Sequence, residues 1–189
     1  ILGTTLWSFV ILLKQKRAWE SLAKKQNLEF VSVALLKSPM LRGFFNGVKL
    51  VVYSDPQMAG KGRESGALRT TVLFTLKSPM PTEGAIGSAA FKKFITGLVL
   101  PEEYVSDNGA LHKDIYNRVE SKEAIAAYFT KDRIASLNAV MTIKNSPALL
   151  IFSKEDTVLR IESPDPFNDS ERLERFLSKA SEAAKILSL

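Results

Sequence analysis

The first thirteen residues, Ile1 to Leu13, carry no charge, and the run stops at Lys14-Gln15-Lys16-Arg17. An uncharged stretch closed by a cationic collar is the pattern of a helix that enters a bilayer and leaves its collar among the headgroups. At about 1.5 Å per residue the run spans roughly 20 Å, short of a hydrocarbon core of about 30 Å. The chain opens on Ile rather than Met, so a few residues ahead of it would complete a span. Three other readings compete. A signal peptide carries its charge before the apolar run, the reverse of this order. An in-plane helix needs a Lys- or Arg-rich face, and Thr4, Thr5 and Ser8 are milder than that. A buried globular helix is the third. Trp19, Leu22, Ala23 and Gln26 fall at helical spacing, and residues 14–27 lack Pro and Gly, which predicts that the helix continues past the collar with Trp19 docked on the following domain.

From Leu28 the period changes to two. Leu28-Glu-Phe-Val-Ser-Val33 alternates, and Met40–Phe45 and Val48–Ser54 flank Asn46-Gly47. Asn-Gly between two β-prone runs predicts a tight hairpin, because both central residues of a type I′ turn need positive φ. Leu68–Lys77 reads as the next strand, after a loop or hairpin tip at Met58–Gly66. Ser78-Pro79-Met80-Pro81 breaks the chain. Ser88–Thr96 then reads as a helix, Leu98–Leu100 as a short apolar segment, Pro101–Gly109 as a loop and Ile115–Val119 as a strand. Ser121 is placed as N-cap for Lys122–Phe129, and Thr130 for Lys131–Met141, where Asp132 complements the helix dipole.

Leu149–Ser153 and Thr157–Glu162 predict a second hairpin across Lys154-Glu155-Asp156. The last element is a long helix whose start, Asn168 with Glu171, resembles a capping box; Leu173, Phe176, Ala180, Ala183 and Leu187 repeat at spacings of three and four. That stripe needs a partner, either the domain's own sheet or a helix of another subunit. Strands in series followed by mixed helices and strands do not make a doubly wound sheet. They predict an α+β fold: an N-terminal membrane-spanning helix with its juxtamembrane extension over 1–26, then a domain over 27–189 with a mainly antiparallel sheet, helices packed on one side and a long C-terminal helix.

Charge sharpens this picture. The net +6 invites a nucleic-acid reading, but residues 14–25 hold five cations against one acid, leaving about +2 for the rest. A domain this near neutrality, with no basic stripe interleaved with aromatics, is a poor binder of phosphate backbones, so nucleic acid is not an expected partner. A basic cluster straight after the apolar run favours the cytoplasmic side for the domain. With no cysteine, thiolate chemistry and disulfides are excluded; with His112 as the only histidine, so are a histidine-based zinc site and, together with any need for a second imidazole, bis-histidine haem.

Candidate chemistry is thin. Gly60-Lys-Gly-Arg-Glu-Ser-Gly66 lacks the spacing of a phosphate-binding loop, and its flanks read strand and strand. Gly87-Ser88 offers an anion only what any helix start offers. Asp55, Glu102, Glu103, Asp107, Asp114, Glu155 and Asp156 fall in loops or strand ends, and no spacing brings two of them across a common cleft. His112 reads as a surface histidine. Asn168-Asp169-Ser170 fits a glycosylation sequon but also a helix start. Phe44, Phe45, Tyr53 and Phe74 are expected to line one β layer, as core or as the wall of a pocket. No catalytic, cofactor or metal residues are assigned.

Trp19-x-x-Leu22-Ala23, Leu28-x-Phe30, Gly43 and the Asn46-Gly47 hairpin together resemble a recurring type of bacterial single-pass membrane-anchored α+β domain protein of uncharacterised activity. The resemblance implies an anchor followed by this fold, and no activity. The function expected is that of a non-catalytic single-pass subunit of the cell membrane, held by lipid and by integral membrane partners through its N-terminal helix, whose cytoplasmic domain docks on or scaffolds a larger complex. A membrane-tethered regulatory or ligand-sensing domain is the alternative.

Overall fold

The structure, a computed structural model, describes residues 2–32, 34, 37–56, 68–77, 80–105, 109–153 and 155–188. The loop at Met58–Gly66, Ser78-Pro79, Asp107 and Lys154, on which expectations were placed above, lie outside the described residues. One helix, α1 (Leu2–Gln26), opens the chain; β1 (Glu29–Val31), β2 (Met40–Phe45), β3 (Val48–Pro56) and β4 (Leu68–Thr75) follow. Then come β5 (Gly84–Ser88), a single 3-10 turn (Ala89–Phe91), α2 (Lys92–Thr96), β6 (Ile115–Val119), α3 (Lys122–Tyr128) and α4 (Lys131–Met141). The chain closes with β7 (Ala148–Phe152), β8 (Thr157–Ser163) and α5 (Ser170–Leu187). The eight strands form one sheet in the order β1-β2-β3-β4-β8-β7-β5-β6, and every adjacent pair is antiparallel. The α+β class and the antiparallel sheet are as expected.

The β2–β3 turn has φ of +51° at Asn46 and +83° at Gly47, the geometry its sequence asks for. Alternation then sorts each strand. Leu41, Phe45, Leu50, Val52, Val72, Phe74, Leu150, Leu159 and Ile161 point to one face, where they pack with Trp19 and Leu22 of α1, Ile125 of α3, Leu137 and Val140 of α4, and Leu173 and Leu177 of α5 in a single apolar core. Ser121 and Thr130 cap α3 and α4 as expected, accepting from the backbone N–H of Ala124 and Arg133. The α5 stripe is satisfied within the molecule. It is wider than expected, with Leu177, Ser181 and Ala184 also buried and Phe176 only half-buried.

Four expectations need correction. Gly84-Ala-Ile-Gly-Ser88 is a strand between β7 and β6, and α-helix begins only at Lys92. Its strand character is hidden because close packing forbids side chains there. A Cβ on Gly84 would stand 2.6 Å from the Arg118 carbonyl and 2.7 Å from the Phe152 ring, and one on Gly87 2.9 Å from Leu149. Secondly, the helices are not all on one side: Ile95 of α2 packs with Ala85 and Leu149 on the opposite face. Thirdly, the aromatics divide. Phe45 and Phe74 enter the core, whereas Phe44, 64% exposed, and Tyr53 face the other way. Finally, the cap of α5 is Asp169, whose Oδ1 accepts from Arg172 N–H at 2.8 Å, not Asn168.

Candidate functional site

The candidate site is the seat of α1 on the domain. From Leu12 onward, Leu12, Gln15, Ala18, Trp19, Leu22 and Ala23 are buried, at successive spacings of three and one that keep one face of the helix against the domain. The grip is on the turn between β8 and α5. The Gln15 side-chain amide donates to the Pro166 carbonyl at 2.8 Å, and the Trp19 indole N–H donates to the Phe167 carbonyl at 3.1 Å. That turn is itself braced. Thr70 Oγ1 donates to the Asp165 carbonyl, Asp165 Oδ1 accepts from Phe167 N–H, and Arg172 pairs with the Asp165 carboxylate at 2.7 Å. Phe167 holds a positive φ of 49° there while its ring lies 5.0 Å from that of Phe176. Trp19, expected to dock on the domain, is completely buried.

The five cations of residues 14–25 separate into two groups. Lys24 pairs with Glu20 on the same helix, and Lys25 with Glu174 of α5 at 2.7 Å. Hydrogen bonds from Lys25 and Gln26 and the Lys25 charge hold the Glu174 carboxyl below its ordinary range. Lys14, Lys16 and Arg17 form the collar proper. Lys14 and Arg17 are exposed one turn apart, and Lys16 donates to the Ala34 carbonyl at 2.6 Å. Just before them, Val10 is exposed while Phe9 and Ile11 are half-buried. Among the described residues no helix is long and apolar enough to cross a membrane.

The carboxylates singled out from sequence whose side chains are described do not meet in a common cleft. Glu102 Oε2 accepts from Lys122 N–H at 2.6 Å, tying the loop before β6 to the start of α3. Glu103 and Asp114 are exposed, as are Glu155 and Asp156 in the β7–β8 turn. Asp55 sits in β3 opposite Arg69. His112 is on the surface, its Nδ1 3.8 Å from the Asp114 carboxylate. Gly87 and Ser88 belong to β5, and the Ser88 hydroxyl accepts from Ala148 N–H, so they do not form a helix start for an anion. No group of three or more His, Asp or Glu able to hold a metal occurs among the described residues.

Two features escaped the sequence reading. One is the Pro166-Phe167 turn that α1 grips; only Asp165-Pro166 hinted at a turn there. The other is a half-open cavity of about 880 Å³ between the loop before β6 and helices α3 and α4. Tyr104, Phe129 and Ile134 contribute apolar surface to it, with Lys122, Lys131, Glu103 and Glu123 around them. The Tyr104 and Phe129 rings lie 5.6 Å apart, and Asn117 fixes Tyr104 by exchanging hydrogen bonds with its backbone N–H and carbonyl. Its signal in the sequence was two aromatics, 25 residues apart, in segments read as loop and helix end.

No family profile matches the chain, and no curated protein matches it. Among solved structures, the crystal structure of the mycobacterial trehalose monomycolate transport factor A, TtfA, is similar, with a TM-score of 0.53 over 92% of this chain and 94% of that chain at 9% identity. At that identity, the likeness is one of fold.

Proposed function

We propose that the chain is a non-catalytic membrane module: the apolar turns of α1 hold it to the cell membrane with Lys14, Lys16 and Arg17 at the headgroups, and its domain docks on a larger membrane complex from the cytoplasmic side. The observation that supports this reading is the continuity of α1, which passes from its apolar turns into the buried seat at Leu12–Ala23 as one helix of 25 residues, with no linker. An apolar helix end joined rigidly to a folded domain fits a part whose position at the bilayer matters. TtfA, similar in fold, is described as a transport factor rather than by a reaction, in keeping with such a role.

Flotation of the full chain with vesicles containing phosphatidylglycerol tests the anchor. The wild type is expected to float, and Val10→Asp to reduce binding at least about tenfold, since an acid within an inserted helix costs about 2.5–3.5 kcal/mol. A wild-type chain that stays at the bottom of the gradient overturns the anchor. Extraction in mild detergent tests docking: a stoichiometric membrane partner is expected, and a monodisperse monomer counts against it.

A second reading, a membrane-tethered ligand-sensing domain, is favoured by the Tyr104–Phe129 cavity. Its mark would be a rise in melting temperature with a metabolite or lipid, abolished by Ala126→Trp, a substitution that fills the cavity.

A further inference from the structure

The antiparallel register gives the sheet two ends, one of them marked by Met40, Ser54, Thr70, Ser163, Ala148 and Ser88. Helix α1 leaves at this end. Gln15 is bound to Pro166 and Lys16 to Ala34, which follow β8 and β1 there. Later on the same helix Gln26 is bound to Glu174 of α5, and beyond it Leu28 lies against Gly43, further down the sheet. The turns ahead of Gln15 therefore point outward past this end, and Val10 is exposed on them.

The connections at the same end carry cations. Lys37 lies just ahead of β2, Lys144 between α4 and β7, and Lys92 and Lys93 in α2, whose Ile95 lies over Gly87, next to the last residue of β5. All four are exposed, and among the described residues none of them pairs with an acid. Lys92 stands instead 4.6 Å from the centre of the Tyr116 ring, and Phe94, next to Lys93, is 46% exposed. Arg69 and Arg172 are neutralised by Glu162 and Asp165. Outside those pairs, these four lysines, the three cations of the collar and Lys113 make eight cations against four acids, Asp55, Asp114, Asp169 and Glu171. The other end is balanced among the described residues, because exposed Glu83, Glu120, Glu123, Glu155 and Asp156 offset the lysines there.

We propose that this end of the domain is a second membrane contact, in which Lys37, Lys92, Lys93 and Lys144 meet the headgroups of anionic lipid around the exit of α1. The proposal rests on the membrane reading above. Helix α1 lies on the covered face of the sheet and α2 on the open one, and β8, whose following turn α1 grips, is two strand spacings from β5, about 10 Å. Cations placed on both sides of the sheet are met together only by a surface lying across its end. A bilayer entered by α1 is such a surface, and lysines near anionic headgroups strengthen attachment. Nucleic acid takes a cationic groove with stacking aromatics, whereas these lysines are spread over an end.

The chain has no cysteine, so Ala90→Cys, exposed in the 3-10 turn before α2, and Ala127→Cys, exposed on α3, each take a polarity-sensitive fluorophore at one place. The labelled full chain is titrated with vesicles of phosphatidylcholine, with and without phosphatidylglycerol. Emission from position 90 is expected to shift to the blue on the anionic vesicles alone, and emission from position 127 on neither. Replacing the four lysines together by Gln is expected to raise the anionic lipid needed for half the shift by about tenfold or more, with the circular dichroism melting curve unchanged. The proposal is overturned by an absent shift at position 90, an equal shift at position 127 or on neutral vesicles, or an unchanged titration for the Gln variant. An equal shift with duplex oligonucleotide at matched phosphate concentration overturns it too. Flotation of the same samples keeps the two readings apart. Chain that floats without the shift at position 90 sinks only this contact, and a shift that persists while Val10→Asp floats as well as wild type sinks only the anchor.

Discussion

Helices α1 and α5 lie in the same layer and both supply the core, yet they use their apolar residues differently. Along α5 no apolar residue is exposed: Leu173, Leu177, Ala180, Ala184 and Leu187 are buried and Phe176 and Ile186 half-buried, while Glu171, Arg172, Arg175, Lys179, Glu182 and Lys185 face water. Along α1, by contrast, Val10 is left exposed just ahead of the seat. An amphipathic helix whose stripe matches its seat has no apolar surface left over. One whose apolar run precedes its seat does, and that surplus is the part of the molecule that asks for another partner.

The contrast can be broken at several strengths. Trp19→Ala is expected to cost about 3–5 kcal/mol in urea unfolding, as removal of a wholly buried aromatic does. A loss under about 1 kcal/mol would mean that the seat of α1 is not part of the cooperative core. Asp169→Ala, which removes the cap of α5, is expected to cost about 1 kcal/mol by the same measurement. Smaller again is the tie between the helices. Because the folded value of Glu174 lies below its unfolded value, the stability from this carboxylate is complete above the usual Glu range near 4.3 and is lost as pH falls through the folded value. Glu174→Gln should therefore flatten the acid side of the stability profile, with a loss at neutral pH of about 0.2–1 kcal/mol. An unchanged acid limb would show the pair to be energetically idle. Least of all, Val10→Ser should leave unfolding within about 0.5 kcal/mol of the wild type; a larger loss would show that the exposed part of α1 belongs to the domain after all.

Much of the fold was legible because local chemistry and tertiary structure agreed. Asn46-Gly47, Ser121 and Thr130 do in the structure what their types do in isolated turns and caps. Strand β5 was illegible because its sequence answers to the space around it; Gly84 and Gly87 carry no strand signal, only the imprint of Phe152, Leu149 and Ile95. The aromatic quartet was misjudged for a simpler reason. Phe44 and Phe45 are neighbours in a strand, and alternation must send them to opposite faces. The grip of α1 on Pro166 and Phe167 joins residues about 150 positions apart, beyond the reach of any local pattern.

The unbroken course of α1 gives the domain a compass bearing. An α-helix turns about 100° and advances about 1.5 Å with each residue, so whatever grips the early turns of α1 also fixes which way the open sheet face looks. One residue inserted ahead of Phe9 would swing that face by about 100° relative to the early turns while leaving the seat at Leu12–Ala23 in register; seven would bring it back to within about 20°.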